Sequence, residues 1–246
     1  NRIHDFGPEE NVFPAGRAAV LTERPNLDLA VIALDGEGNL LEAANVILSR
    51  DQPRGLISDL DGDFNTTNIT WQRWNQKRWD GSRRWINTAG ELPAKERLGV
   101  SRIGTSETVF MSPYPASLFK LPLAFFLLEE TAEERIALSD IRKKLRKMLT
   151  VSSNQATNEL LKTLHDNKRI GAMNRRFERM GLDTIQIKGT DPATGQDWNV
   201  GEITMTSLDT AKLLWLIQSD PQAAPLWTQP NGKHVRSKLN KKAQRI

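Results

Sequence analysis

With 246 residues, 38% of them apolar and 26% charged, the chain is long enough for one substantial domain with its own core. The lack of cysteine excludes disulfides and thiolate-held metals, and the longest apolar run, 121–128, is too short to span a bilayer. Net charge is +4, yet residues 231–246 alone carry Lys233, Arg236, Lys238, Lys241, Lys242 and Arg245 with no acid; the remainder is slightly acidic, which is not a nucleic-acid-binding composition.

In chain order, LDLAVIAL (27–34) is apolar and β-prone, DGEGN (35–39) is a turn cluster, and LLEAANVIL (40–48) can return as a second strand. Together they predict a hairpin. Residues 49–107 are polar and weakly periodic, and read as a long insertion. Within them, DLDGDFN (59–65) alternates Asp59, Asp61 and Asp63 as a calcium loop does. Phe64 stands where such a loop needs glycine and Thr70 where it needs a bidentate glutamate, so a turn without metal is expected. WQRWNQKRWDGSRRW (71–85) interleaves Trp71, Trp74, Trp79 and Trp85 with five basic residues. That pattern suits stacking of sugars or bases or the grip of an anionic polymer. Tryptophans also pin long loops through the area they bury.

From 117 onward helices dominate. Ser117–Glu130 reads as an apolar helix entered after Pro115, with Pro122 expected to distort its first turn. Leu138, Ile141, Leu145 and Met148 recur at helical spacing within 132–149, with Ser139 as a cap. Further helices are predicted at 154–164, at 170–180 with Gly181 as C-cap, and at 206–218 capped by Thr206 or Ser207. A short strand lies at 184–187, a loop at 191–202, and a basic terminal helix at 219–246. Strands first and helices after predict a single domain over 1–246 of α/β (α+β) class.

The apolar segment 114–128 holds only two polar side chains, Ser117 and Lys120. Positions three apart share a helix face. Desolvation and the positive helix end both lower a lysine pKa, and a neutral lysine can take a proton from a serine hydroxyl. A helix over 132–149 can run back antiparallel and bring Ser152-Ser153-Asn154 beside Ser117. These three residues also suit a helix N-cap. Other chemistries lack support: there is no G-x-S-x-G, H-E-x-x-H, Walker or dinucleotide motif. Of the three histidines, His4, His165 and His234, His165 beside Asp166 falls at a helix end, where a capping role is expected of it.

PASLFKLPLAFFLLE followed by MLTVSSNQATNELL resembles the serine β-lactamase and penicillin-binding protein superfamily, in its class A-like branch, marked by S-x-x-K, S-D-N and K-T-G. On that resemblance Ser117 matches the acyl-accepting nucleophile and Lys120 the lysine of the first motif. Ser152 and Asn154 match the outer positions of the second, with Ser153 where that motif has Asp. The hairpin and TMTSLDTAKLLWLI (204–217) extend the similarity over 27–48 and 110–218. The fold implied is an antiparallel sheet packed against helices, with a mostly helical second lobe.

The resemblance implies that Ser117 attacks a β-lactam or a terminal D-amino acid amide and that Lys120 accepts its proton. It further implies that Ser152 protonates the departing nitrogen and that Asn154, as a substrate-binding residue, holds a side-chain amide. The oxyanion would sit between the Ser117 N–H and one from the third-motif strand. No metal, cofactor or nucleic acid is expected, and the substrate is a small β-lactam or a peptidoglycan stem peptide. An exported bacterial protein, periplasmic or secreted, is implied; no oligomeric state is.

Three departures stand out. No K-T-G follows Ser152, since Lys188-Gly189-Thr190 has the letters in another order; the C-terminal strands that would carry it are expected outside this chain. No E-x-x-L-N motif supplies a deacylating glutamate between 181 and 206, where Asp191, Asp197 and Glu202 match none of it. The 35-residue step from Ser117 to Ser152 is short for class A. The expected activity is a β-lactamase-like serine hydrolase. The alternatives are a penicillin-binding D,D-carboxypeptidase or transpeptidase, and a non-catalytic cell-wall binding module using the Trp/Arg-rich insertion.

Overall fold

A computed structural model describes residues 4–5, 19–20, 26–49, 52, 54–75, 96–98, 108–220, 225–229 and 231–236. A short antiparallel pair, β1 (His4–Asp5) with β2 (Ala19–Val20), precedes the predicted hairpin. In that hairpin β3 (Leu27–Leu34) runs antiparallel to β4 (Leu40–Leu48), with Leu29 opposite Val46 and Val31 opposite Ala44. Asp35 closes its turn: Oδ1 accepts from the N–H of Glu37 at 2.9 Å and of Asn39 at 2.8 Å. Gly38 there adopts a φ of +85°, which glycine takes without a Cβ penalty. β5 (Leu56–Ile57) joins β4 to make a three-stranded sheet, β3-β4-β5.

Residues 49–107 do more than interrupt the fold. Besides β5 they contribute β6 (Thr70–Gln72) and β7 (Arg97–Leu98). β6 is the centre of a second sheet, antiparallel to β7 and parallel to β8 (Val109–Met111), the strand that leads into the Ser117 segment. Trp71 is 4% exposed and packs on Phe110, in a small core with Ile47, Ile69, Leu98 and Met111. Arg73 is buried too, donating to Gly201 O at 2.9 Å and Gln186 Oε1 at 2.8 Å. Trp71 and Arg73 therefore anchor the segment and are not offered to a polymer; Trp79 and Trp85 lie outside the described residues. At 59–65 the chain makes an Asx turn, in which the Asp61 carboxylate accepts from the N–H groups of Asp63 and Asn65 and from Asn65 Nδ2.

The apolar helix enters as a 3₁₀ turn, Ala116–Phe119, and continues as α1 (Lys120–Ala132). α2 (Leu138–Val151), α3 (Asn154–Asp166) and α4 (Ile170–Arg179) follow. α1, α2, α3 and α4 close the main core around Leu123, Leu127, Leu145, Leu161 and Phe177. Ser139 is not the cap of α2: Ala137 holds that position, and the Ser139 hydroxyl bonds Asp140. α4 ends in a Schellman turn. Gly181 N–H donates to Glu178 O and Leu182 N–H to Phe177 O, with Gly181 at a φ of +71°. β9 (Gln186–Ile187) pairs with β10 (Ile203–Thr204), and α5 (Ser207–Gln218) packs back on β3, capped by Thr206 as expected. Asp28 on β3 fastens that contact, accepting from Ser207 N at 2.7 Å, Ser207 Oγ at 2.6 Å and Asn45 Nδ2 at 2.8 Å.

The terminal segment corrects the helix expected over 219–246. β11 (Trp227–Thr228) and β12 (His234–Val235) form a hairpin. Asn231-Gly232, with Gly232 at a φ of +78°, makes its turn; Asn-Gly is a strong hairpin signal that outweighs the helical bias of the lysines around it. Trp227 is buried, and its indole N–H donates to Met180 O at 2.7 Å. Residues 237–246 lie outside the described residues. The architecture is mixed α+β, with small, mainly antiparallel sheets and five α-helices among the described residues. No helix among them is long and apolar enough to cross a membrane.

Lys212 of α5, fully buried, ties three of these parts together. Its ammonium donates to Asp63 O and Asn65 Oδ1 at 3.1 Å and to Gly181 O at 3.2 Å, and sits 4.9 Å from the centre of the Trp227 ring. Lys212→Met removes the donor that those three acceptors share. We expect it to cost about 3 kcal/mol, read in a urea titration as a lower midpoint at unchanged slope.

Candidate active site

Lys120 is the centre of a cluster that three elements build. Pro122 has no N–H to give to Leu118 O, and the chain before it is wound as 3₁₀, with Lys120 N–H reaching Ser117 O. In 3₁₀ geometry residues i and i+3 eclipse one another. Ser117 and Lys120 therefore stack, with Nζ 3.0 Å from Ser117 Oγ. The residue before the serine, Ala116, holds a left-handed φ of +46°.

α2 runs back from the far end of α1 and delivers the α2–α3 turn to the same place. Ser152 ends α2 in the left-handed region, at a φ of +52°. That turn exposes both its carbonyl and its hydroxyl to Lys120, at 2.6 Å and 2.8 Å. Asn154, the first residue of α3, adds Oδ1 at 2.7 Å. The capping role falls to Ser153 alone, whose hydroxyl accepts from Ala156 N–H. The expected N-cap and the expected polar cluster thus coexist, on alternate residues of one tripeptide. All four residues singled out in the sequence, Ser117, Lys120, Ser152 and Asn154, meet within one hydrogen-bonded group.

Four oxygens surround one nitrogen, and their chemistry restricts its protons. Ser152 O and Asn154 Oδ1 can only accept. A neutral amine has two N–H bonds for those two oxygens and one lone pair left, directed to a serine hydroxyl. An ammonium would have to spend its third proton on a hydroxyl oxygen. Lys120 is 4% exposed, and burial pushes its pKa below the ordinary lysine range, with no carboxylate among the described residues countering the shift. Ser117, Ser152 and Asn154 are themselves exposed. The Ser117 hydroxyl faces solvent while the Lys120 amine is buried beneath it. With Oδ1 turned to Lys120, the Asn154 amide N–H₂ is left to donate outward.

The 191–202 loop supplies a wall that sequence reasoning did not find. The Trp198 ring lies with its centre 5.5 Å from Lys120 Nζ. Its indole N–H donates to Asn158 Oδ1 of α3 at 2.8 Å, and its carbonyl accepts from Tyr114 O–H at 3.2 Å. Gly195 lets the loop lie directly on α3: its φ is +72°, and a Cβ there would stand 2.0 Å from Asn158 O. His165 bonds Thr190 Oγ1 at 2.8 Å through Nε2, so it fastens this loop to the end of α3 and does not cap the helix as expected. That contact takes Thr190, and with it Lys188-Gly189-Thr190, to the far end of α3 from Asn154. Two acids of the loop have their surroundings defined. Asp191 accepts from Ala193 N–H and Thr194 O–H, and Glu202 lies against Gly189.

Gly195→Ala is expected to lift the 191–202 loop from α3 and take Trp198 with it. Limited proteolysis should then cut within 191–202 in the variant under conditions that leave the unsubstituted chain intact, with a stability loss above about 1 kcal/mol.

No family model, curated protein or solved structure matches the chain, so the role of this cluster is argued from its geometry.

Proposed function

We propose that the chain is a β-lactamase-like serine hydrolase that forms an acyl-enzyme at Ser117. The observation that carries this reading is the position of Lys120 Nζ, within hydrogen-bonding distance of both Ser117 Oγ and Ser152 Oγ and held there without a carboxylate. In the proposed reaction the Ser117 oxygen bonds to the lactam carbonyl carbon while its proton passes to the Lys120 lone pair. The Ser117 N–H, in the opening turn of the helix, is a donor for the oxyanion. As the tetrahedral species collapses the C–N bond breaks. The nitrogen takes a proton from Ser152 Oγ, which recovers one from Lys120. The outward Asn154 amide N–H₂ suits an acyl-chain carbonyl of the substrate. Water then releases the acyl group.

A second reading, a penicillin-binding D,D-peptidase whose lactam adduct persists, is favoured by the loop wall. An indole, and not a carboxylate, stands beside Lys120, so nothing described there would activate the hydrolytic water. In either reading the cell-wall location remains an implication of the resemblance.

Intact-mass spectrometry with excess benzylpenicillin tests both. One penicillin-sized adduct is expected on the chain and none on Ser117→Ala. Decay of the adduct marks a lactamase, and its persistence a penicillin-binding protein. No adduct on the unsubstituted chain overturns the acyl-enzyme and leaves the binding-module alternative. The pH dependence follows from the sign of the Lys120 shift. A lowered pKa makes more of the amine neutral at a given pH, so acylation rises with pH and levels off below the usual lysine value of about 10.4. Lys120→Arg, which cannot lose its proton, should slow acylation by about 10²–10⁴-fold.

A further inference from the structure

The opposite end of α1 carries a second feature, independent of the acyl chemistry. About 15 Å along the helix from Lys120, α1, α4 and the β11–β12 hairpin enclose a cavity of about 650 Å³. Six basic side chains line it, Arg135, Arg169, Arg176, Arg179, Lys233 and Arg236, against the carboxylates of Glu129, Glu130 and Glu133.

All three carboxylates are already engaged. Glu130, 1% exposed, takes paired bonds from Arg169, at 2.5 and 3.0 Å, and from Arg135, at 3.0 and 3.3 Å. Glu129 takes a fork from Arg176 at 2.6 and 2.8 Å, and Glu133 bonds Arg135 at 2.7 Å. Arg179 and Lys233 have no carboxylate partner among the described residues. Arg169 and Arg176 each bond their glutamate through Nε and Nη2, and among the described residues no acceptor takes their Nη1. The glutamates thus act as a floor that fixes two guanidinium planes in the cavity lining through Nε and Nη2.

A concave surface focuses the field of its surplus charge. Guanidinium forks beside an ammonium are the groups that hold phosphate or carboxylate oxygens. We propose that this cavity binds a small anion with clustered phosphate or carboxylate oxygens, held between Arg179 on α4 and Lys233 on the hairpin. Its volume suits a small-molecule ligand, and its charged walls disfavour an apolar one.

Isothermal calorimetry with pyrophosphate and with citrate, each against sodium chloride at matched ionic strength, tests the site. The unsubstituted chain should bind at least one of the two, and which one binds separates a phosphate ligand from a polycarboxylate. Arg179→Ser/Lys233→Ser alters two exposed side chains and should bind at least tenfold more weakly, while Ser117→Ala should bind as the unsubstituted chain does. The proposal is overturned if neither anion binds, if sodium chloride reproduces the heat, or if the double variant binds equally well.

Discussion

The molecule is organised by one constraint, the burial of α1. Phe125, Phe126, Leu127 and Leu128 cover successive faces of this helix, and all lie in the core. A helix enclosed on every side gives its polar residues no water. Lys120, Glu129 and Glu130 are nonetheless on it, and each buried charge would cost several kcal/mol if left without a partner. The rest of the fold meets that demand. The α2–α3 turn brings oxygens to the lysine at one end, and Arg176 with Arg169 brings guanidinium groups to the glutamates at the other.

The two ends are satisfied in different ways, and the difference matters chemically. The glutamates receive charge; burial pushes the Glu130 pKa up, but the bonds from Arg169 and Arg135 outweigh it and bring the group below the usual carboxylate value. That pairing favours the ionised form of Glu130. Lys120 receives neutral oxygens. Carbonyl and amide oxygens satisfy its N–H bonds without a counter-charge, so burial still favours the neutral amine. A carboxylate in place of Asn154 Oδ1 would satisfy the lysine equally well and hold it protonated. The choice of an amide keeps the cluster capable of taking a proton.

Local features of this arrangement were legible in the sequence. The 27–48 hairpin, the Thr206 cap, the Gly181 turn and the meeting of Ser117 with Ser152 and Asn154 follow from propensity, spacing and one antiparallel return. What the sequence hid depends on distance along the chain. Trp198 reaches Lys120 only because Gly195 lies on α3, and the arginines that answer Glu129 and Glu130 come from α4 and its approach. Trp71 takes the anchoring role that the sequence allows for these tryptophans, whereas the burial of Arg73 cannot be told from composition. The terminal hairpin was missed for another reason: the Asn231-Gly232 signal is local, but the lysines around it drew the reading toward a helix.

The placement of Ser117 completes the same logic. Its hydroxyl belongs to a 3₁₀ turn at the mouth of the core, with exposed neighbours Ala116 and Leu118, while its partner three residues on is enclosed. A regular α-helix would offset the two side chains around the axis; the 3₁₀ turn superposes them. The proline in the first turn of α1 therefore has a use at the site. It costs the helix one backbone bond and, in return, sets an accessible hydroxyl directly over a desolvated amine. In the proposed reaction the nucleophile must reach substrate and its base must be desolvated, and a single distorted turn at the rim of a buried helix provides both positions.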